Sequence, residues 1–132
     1  MSTVLILEDE KWTLEFLEVF VSKHPMVESV FAVNNSQDAI ETAQKHLPDI
    51  ALLDIELKAK DTINGIQTAK MIASVSPATV LVFVTGYGKY APNSFVVHPY
   101  DYLLKPIRKD KLTDIITELS VKTNILGWPP NL

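Results

Sequence analysis

The sequence contains no cysteine. That excludes a disulfide scaffold, thiolate zinc sites, iron–sulfur clusters and thiol nucleophiles. No apolar run approaches the roughly 18 residues that crossing a bilayer takes, and no cationic leader precedes a cleavable apolar segment. We therefore expect a cytoplasmic protein with no membrane contact. Positive charge is in deficit, with 12 lysines and arginines against 16 aspartates and glutamates. A nucleic-acid-binding surface is not expected within these residues, although DNA could be a partner of something attached to them. Internal repeats and low-complexity segments are also missing. What is present is 132 residues, 47% of them hydrophobic. That suits one domain whose core needs no covalent staples.

Short apolar runs alternate with stretches of helical periodicity. Val4-Leu5-Ile6-Leu7 reads as a buried strand stopped by Glu8-Asp9-Glu10. Leu14, Leu17 and Val21, with Trp12, Phe16 and Phe20, give a helix with a broad apolar face that ends before Pro25. Residues 27–33 read as a second strand. Asn34, Asn35 and Ser36 offer caps for a helix with the stripe Ala39, Ile40, Ala43 and Leu47, closed by Pro48. Ile50-Ala51-Leu52-Leu53 runs as a third strand into Asp54. Asn64-Gly65 reads as a turn before a helix carrying Ile66, Ala69 and Ala73. Residues 80–84 form a fourth strand ending at Thr85-Gly86, and 89–97 suit a helix of a turn or two, limited by Pro92. Tyr102-Leu103-Leu104 is a fifth strand, followed by a helix with Leu112, Ile115, Ile116 and Leu119. Five strands alternating with five helices, the strands apolar on both faces, predict a doubly wound open parallel sheet.

In such a sheet, ligands bind beyond the carboxyl ends of the strands. Those ends carry Glu8 and Asp9, then Asp54, Thr85 and Lys105. Any one of them alone reads as a solvated cap. Together they bring three carboxylates, a hydroxyl and an ammonium to one edge. Two carboxylates about 4 Å apart repel by roughly 4 kcal/mol at an effective dielectric of 20. A hard divalent cation relieves that repulsion, and Mg²⁺ favours a few carboxylates with a phosphoryl ligand. Lys105 and Thr85 would then serve phosphoryl oxygens, leaving Asp54 as nucleophile.

Four stretches, Val4-Leu-Ile-Leu-Glu-Asp-Glu10, Pro48-Asp-Ile-Ala-Leu-Leu-Asp-Ile-Glu56, Val82-Phe-Val-Thr-Gly86 and Asp101-Tyr-Leu-Leu-Lys-Pro-Ile107, stand in this order over residues 1 to about 120. As a set they resemble the receiver domain of bacterial two-component response regulators. The resemblance implies a flavodoxin-like receiver fold with strand order 2-1-3-4-5. It implies Asp54 as phosphoacceptor, with Mg²⁺ held by Glu8, Asp9, Asp54 and the backbone carbonyl of Glu56. Thr85 and Lys105 would sense the phosphoryl group, Tyr102 would be the aromatic switch, and the Lys105–Pro106 bond would be cis. Residues 93–107 look most like receivers that precede LytTR-type DNA-binding domains. Glu8 departs from the commoner Asp, and the loop from Lys58 to Gly65 is longer than usual and lacks a proline after Leu57.

The implied function is a switch, phosphorylated by a sensor histidine kinase and controlling transcription through an attached or partner output domain. The face of residues 89–121 would bind that domain or a second copy. Residues 1–121 would form the receiver and 122–132 a tail or linker, since the stretch from Thr123 through Gly127-Trp128-Pro129-Pro130 cannot extend the last helix. An alternative is a Mg²⁺-dependent aspartyl-phosphate phosphatase, but such enzymes usually carry aspartate where Glu56 stands and need a substrate cap. We read the protein as a phosphoacceptor that assists its own chemistry, and not as a turnover enzyme. A strand's period of two suggests that Glu56 and Tyr87 lean over the reacting group and modulate its rate. His24, His46 and His98 lack metal spacing and read as helix-end or surface residues. Gly86-Tyr87-Gly88 lacks the lysine-serine pair of a phosphate loop. Trp12, Phe16 and Phe20 read as core, and Trp128 packs either on the domain or on a partner.

Overall fold

The computed structural model describes residues 1–56, 64–86 and 99–124. Strands β1 (Ser2–Leu7), β2 (Val27–Val33), β3 (Ile50–Asp54), β4 (Val80–Thr85) and β5 (Asp101–Leu104) form one sheet in the order β2-β1-β3-β4-β5. Every pairing is parallel. The described helices are α1 (Lys11–Ser22), α2 (Ser36–His46), α3 (Gly65–Val75) and α4 (Lys109–Asn124). The expected helix at 89–97 lies outside the described residues, as do Tyr87, His98 and Trp128.

The three central strands, β1, β3 and β4, are largely apolar because both their faces are covered. Val4, Ile6, Ile50, Leu52, Val82 and Val84 pack with Leu17 and Val21 of α1 and with Leu112, Ile116 and Leu119 of α4. Their alternates, Leu5, Leu7, Ala51, Leu53, Leu81 and Phe83, pack with Ala39 and Ala43 of α2 and with Ile66, Ala69 and Ile72 of α3. The period of two in each strand divides the core into two layers, the doubly wound arrangement expected.

Four local readings change. Trp12 is 70% exposed, while Phe16 and Phe20 stack 5.6 Å apart and lean on the core. Each four-residue step turns a helix about 40° beyond a full circle, so the row drifts, and its first member points away. Leu47 is exposed and caps α2 in the left-handed region at φ 47°, since Pro48 disfavours a helical residue before it. Leu104 is exposed because β5 is an edge strand. Helix α4 continues through Thr123 to Asn124, beyond the boundary set at 121. There the Asn124 amide donates to the Ser120 carbonyl and to Ser2 Oγ, both at 2.8 Å.

Candidate functional site at the carboxyl edge

The sheet order reverses beside β1, so the carboxyl ends of β1 and β3 open onto a crevice. The Glu8 N–H donates to the Val33 carbonyl at 3.1 Å, carrying strand geometry one residue beyond β1. Glu8 Oε2 accepts the Glu10 N–H at 3.0 Å. Glu10 in turn caps α1, accepting the N–H groups of Trp12 and Thr13 at 3.1 and 2.8 Å. The start of α1 thereby fixes Glu8, which is only 1% exposed.

Asp54 closes β3 and is 2% exposed. Its Oδ1 accepts the Glu56 N–H at 3.0 Å, and its Oδ2 lies 3.5 Å from Lys105 Nζ. Lys105 follows β5, where its N–H donates to the Thr85 carbonyl at 2.8 Å. Its ammonium is closer to Glu8 Oε1, at 2.9 Å, than to Asp54. Glutamate's extra methylene gives Glu8 that reach. Thr85 is buried at the end of β4. Glu8, Asp9, Asp54, Thr85 and Lys105 are therefore gathered at one edge, as expected from the strand ends.

The electrostatics set this edge apart. Burial, then the charge of Glu8, raises the Asp54 carboxyl from 3.8 to about 7, against the opposing pull of the Glu56 N–H and Lys105. Burial lowers Lys105, but its hydrogen bond to Glu8 and the charges of Asp54 and Glu8 prevail, and its pKa ends raised. Glu8, Asp9 and Asp54 each offer an oxygen, and these three atoms lie within 4.8 Å of one another. Glu8 Oε1 is buried and is met by the Lys105 ammonium at 2.9 Å. Hard oxygen donors and an excess of negative charge fit a divalent cation.

Glu56 turns its side chain towards β4. Its Oε1 accepts from Thr85 Oγ1 at 3.4 Å and from Gly86 N at 3.2 Å. Tyr102, on the neighbouring strand, is half-buried with its ring 5.9 Å from that of Phe83. The Lys105–Pro106 bond is cis. His24 is held by Thr117 and the Met26 N–H, and His46 stacks on Phe31, so both are occupied structurally.

Two glycines read from the sequence only as turn and strand-end residues have a part in the site. The Gly65 N–H donates to the Ile55 carbonyl at 3.0 Å, and a Cβ there would fall 2.0 Å from the Asp54 carbonyl oxygen. Asn64-Gly65 is thus the capped start of α3 behind the site. Its reciprocal bonds with Gln67, three residues beyond Asn64, were the available signal. Gly86 contributes its backbone N–H, to which sequence patterns are blind.

A profile of the response regulator receiver domain matches residues 4–117. The chain is similar to a sensory transduction protein LytT of Enterococcus faecalis, with 37% identity over 117 residues, covering 89% of this chain and 47% of that protein. It is similar to the transcriptional regulatory protein BtsR of Escherichia coli, with 33% identity over 121 residues, covering 90% and 48% respectively. The chain spans about half the length of the curated relatives it matches. Among solved structures, the response regulator TrrA of Thermotoga maritima, in complex with Mg²⁺-BeF, shares its fold. That match has a TM-score of 0.78 at 22% identity, covering 90% of this chain and 99% of that one.

Proposed function

The chain belongs to the response regulator receiver domain family of two-component signalling, and from that premise we propose that it is a phosphorylation-activated switch with Asp54 as acceptor. The observation that carries this reading is the convergence of Asp54, buried and carboxylate-crowded, with the Lys105 ammonium 3.5 Å from its Oδ2. An Asp54 oxygen attacks the phosphorus of a kinase phosphohistidine. The P–N bond breaks, its electron pair leaves on the imidazole, and that ring takes a proton from water. Lys105 neutralises one phosphoryl oxygen and Thr85 donates a hydrogen bond to another. Glu8, Asp9, Asp54 and the Glu56 carbonyl would hold Mg²⁺, which when bound supplies the positive charge that transfer needs.

The kinase would be a sensor histidine kinase and the compartment the cytoplasm. No helix of the described residues is long and apolar enough to cross a membrane. The printed names of relatives favour control of transcription, which in this reading passes through an attached or partner output domain. Receivers that precede LytTR-type domains remain the sub-family it resembles. The response passes from Thr85 to Tyr102 and on to the face of β5 and α4. A concavity of about 670 Å³ on that face, lined by Tyr102, Lys105, Lys111, Asp114 and Glu118 among others, supports this reading. This surface would take the output domain or a second copy.

The test separates acceptance from response. Thr85→Ala should take a phosphoryl group from acetyl phosphate yet shift the switch population weakly. Chemical shifts of the Tyr102 ring before and after labelling report this. A full wild-type shift in labelled Thr85→Ala would exclude coupling through Thr85.

A further inference from the structure

Glutamate is not the usual helix cap; serine, threonine, aspartate and asparagine are. Glu10 nonetheless caps α1, and with both carboxylate oxygens. Its Oε1 accepts the Trp12 N–H at 3.1 Å, and its Oε2 accepts the Thr13 N–H and hydroxyl, both at 2.8 Å. Its carbonyl accepts the Leu14 N–H at 2.9 Å, and Leu17 and Val21 seat the helix beyond in the core. Glu10 is thus tied to a rigid element by side chain and backbone together. Its own N–H donates to Glu8 Oε2 at 3.0 Å, while Lys105 meets the other oxygen, Glu8 Oε1, at 2.9 Å. A glutamate side chain has more rotatable bonds than an aspartate, so burial alone does not choose which edge of its carboxylate faces the crevice. The fixed N–H on one oxygen chooses it.

We propose that Glu10 is a positioning residue that holds the Glu8 carboxylate end-on, one oxygen to the crevice, and thereby sets the site's preference for Mg²⁺ over Ca²⁺. The inference rests on the reading of Glu8, Asp9 and Asp54 as the cation pocket. Mg²⁺ demands short contacts in near-ideal octahedral geometry, which single carboxylate oxygens supply. Ca²⁺ accepts more ligands and takes carboxylates edge-on through both oxygens. With Oε2 held by the Glu10 N–H, Glu8 cannot offer both oxygens without giving up that bond. Once the cap is lost, the Glu8 side chain is able to turn, and the bar against the larger ion goes with it.

The experiment titrates wild type, E10S and E10A with Mg²⁺ and, separately, with Ca²⁺ by isothermal calorimetry below their melting temperatures. Both variants lose the same negative charge, but serine keeps a capping oxygen and alanine does not. We expect the ratio of Mg²⁺ to Ca²⁺ affinity to stay near that of the wild type in E10S and to fall several-fold in E10A. A cap that served only the stability of α1 would lower the melting temperature and leave this ratio alone. If E10A does not fold, E10G replaces it, since glycine also lacks the capping oxygen yet costs the helix little at this position. A ratio unchanged in the uncapped variant, or one that falls equally with and without the capping oxygen, would overturn the inference and leave the cation pocket standing. A wild type that binds neither ion would overturn the pocket as well.

Discussion

Strand β3 begins just after one aspartate and ends on another, and the two live under opposite conditions. Asp49, at the amino edge, has its Oδ2 bonded by the Thr3 N–H at 2.9 Å and by Thr3 Oγ1 at 3.3 Å, while its own N–H meets the Thr3 carbonyl. Neutral donors match it, and it clamps β1 to β3. Asp54, at the carboxyl edge, has Glu8 and Asp9 for neighbours and shares the ammonium of Lys105 with Glu8. The same side chain on the same strand is therefore structural at one end and charged with unspent potential at the other. What separates the roles is whether the donors at hand match the negative charge.

The largest expected effect exploits that mismatch. Asp54 titrates near 7 in the folded protein against 3.8 as an ordinary carboxyl, so between those values the folded state holds the extra proton. Stability should then be highest at the acid end of this window and fall as pH rises through it, by up to a few kcal/mol in a metal chelator. Glu8, Asp9 and Lys105 are the charged groups that face Asp54 at this edge. Asp54→Asn should flatten the slope, and Mg²⁺ should restore the wild-type melting temperature at neutral pH but not that of Asp9→Ala. Melting curves from pH 4.5 to 7.5 check this. A slope that persists in Asp54→Asn would place the mismatch elsewhere.

Gly65→Ala comes next. Its Cβ would press on backbone atoms, the Asp54 oxygen at 2.0 Å and the Ile55 Cα at 2.6 Å. Backbone yields less readily than a side chain, so we expect a loss of about 1–3 kcal/mol or more in denaturant unfolding. Labelling of Asp54 should slow with it. An Ala variant of native stability would show that the close approach behind the site is dispensable.

How much of this was legible beforehand follows from where the information lies. Apolar runs such as 50–53 and 80–84 disclosed buried parallel strands, and their terminal residues named Glu8, Asp9, Asp54, Thr85 and Lys105 without any coordinates. Residue identity carries little of what backbone does. The Gly86 N–H and the fit of Gly65 against β3 depend on chain path, and neither has a side chain to betray it. Trp12 and Leu47 were misplaced for a related reason. Periodicity extends a stripe to its last apolar residue, whereas helix drift and the following proline decide where burial stops. Glu56 was suspected from spacing, but its lean towards Thr85 and Gly86 is a matter of rotamer and crevice shape.

The smallest effect probes the quiet aspartate. Asp49→Ala removes the acceptor for the Thr3 N–H and hydroxyl, and should cost about 1–3 kcal/mol. Labelling should remain at the wild-type rate once the protein is folded. Denaturant unfolding alongside intact-mass labelling checks both halves, and a labelling defect in the folded variant would erase the division between the two ends of β3.

The division is tested most directly by mapping the phosphoryl group itself. Wild-type protein is labelled with acetyl phosphate and Mg²⁺, trapped by borohydride reduction of the acyl phosphate, digested and sequenced by mass spectrometry. The account predicts a single modified position, Asp54, with Asp49 untouched and no label in Asp54→Asn. Label on Asp49, Glu8 or Asp9, or label retained at the wild-type rate in Asp54→Asn, would contradict it.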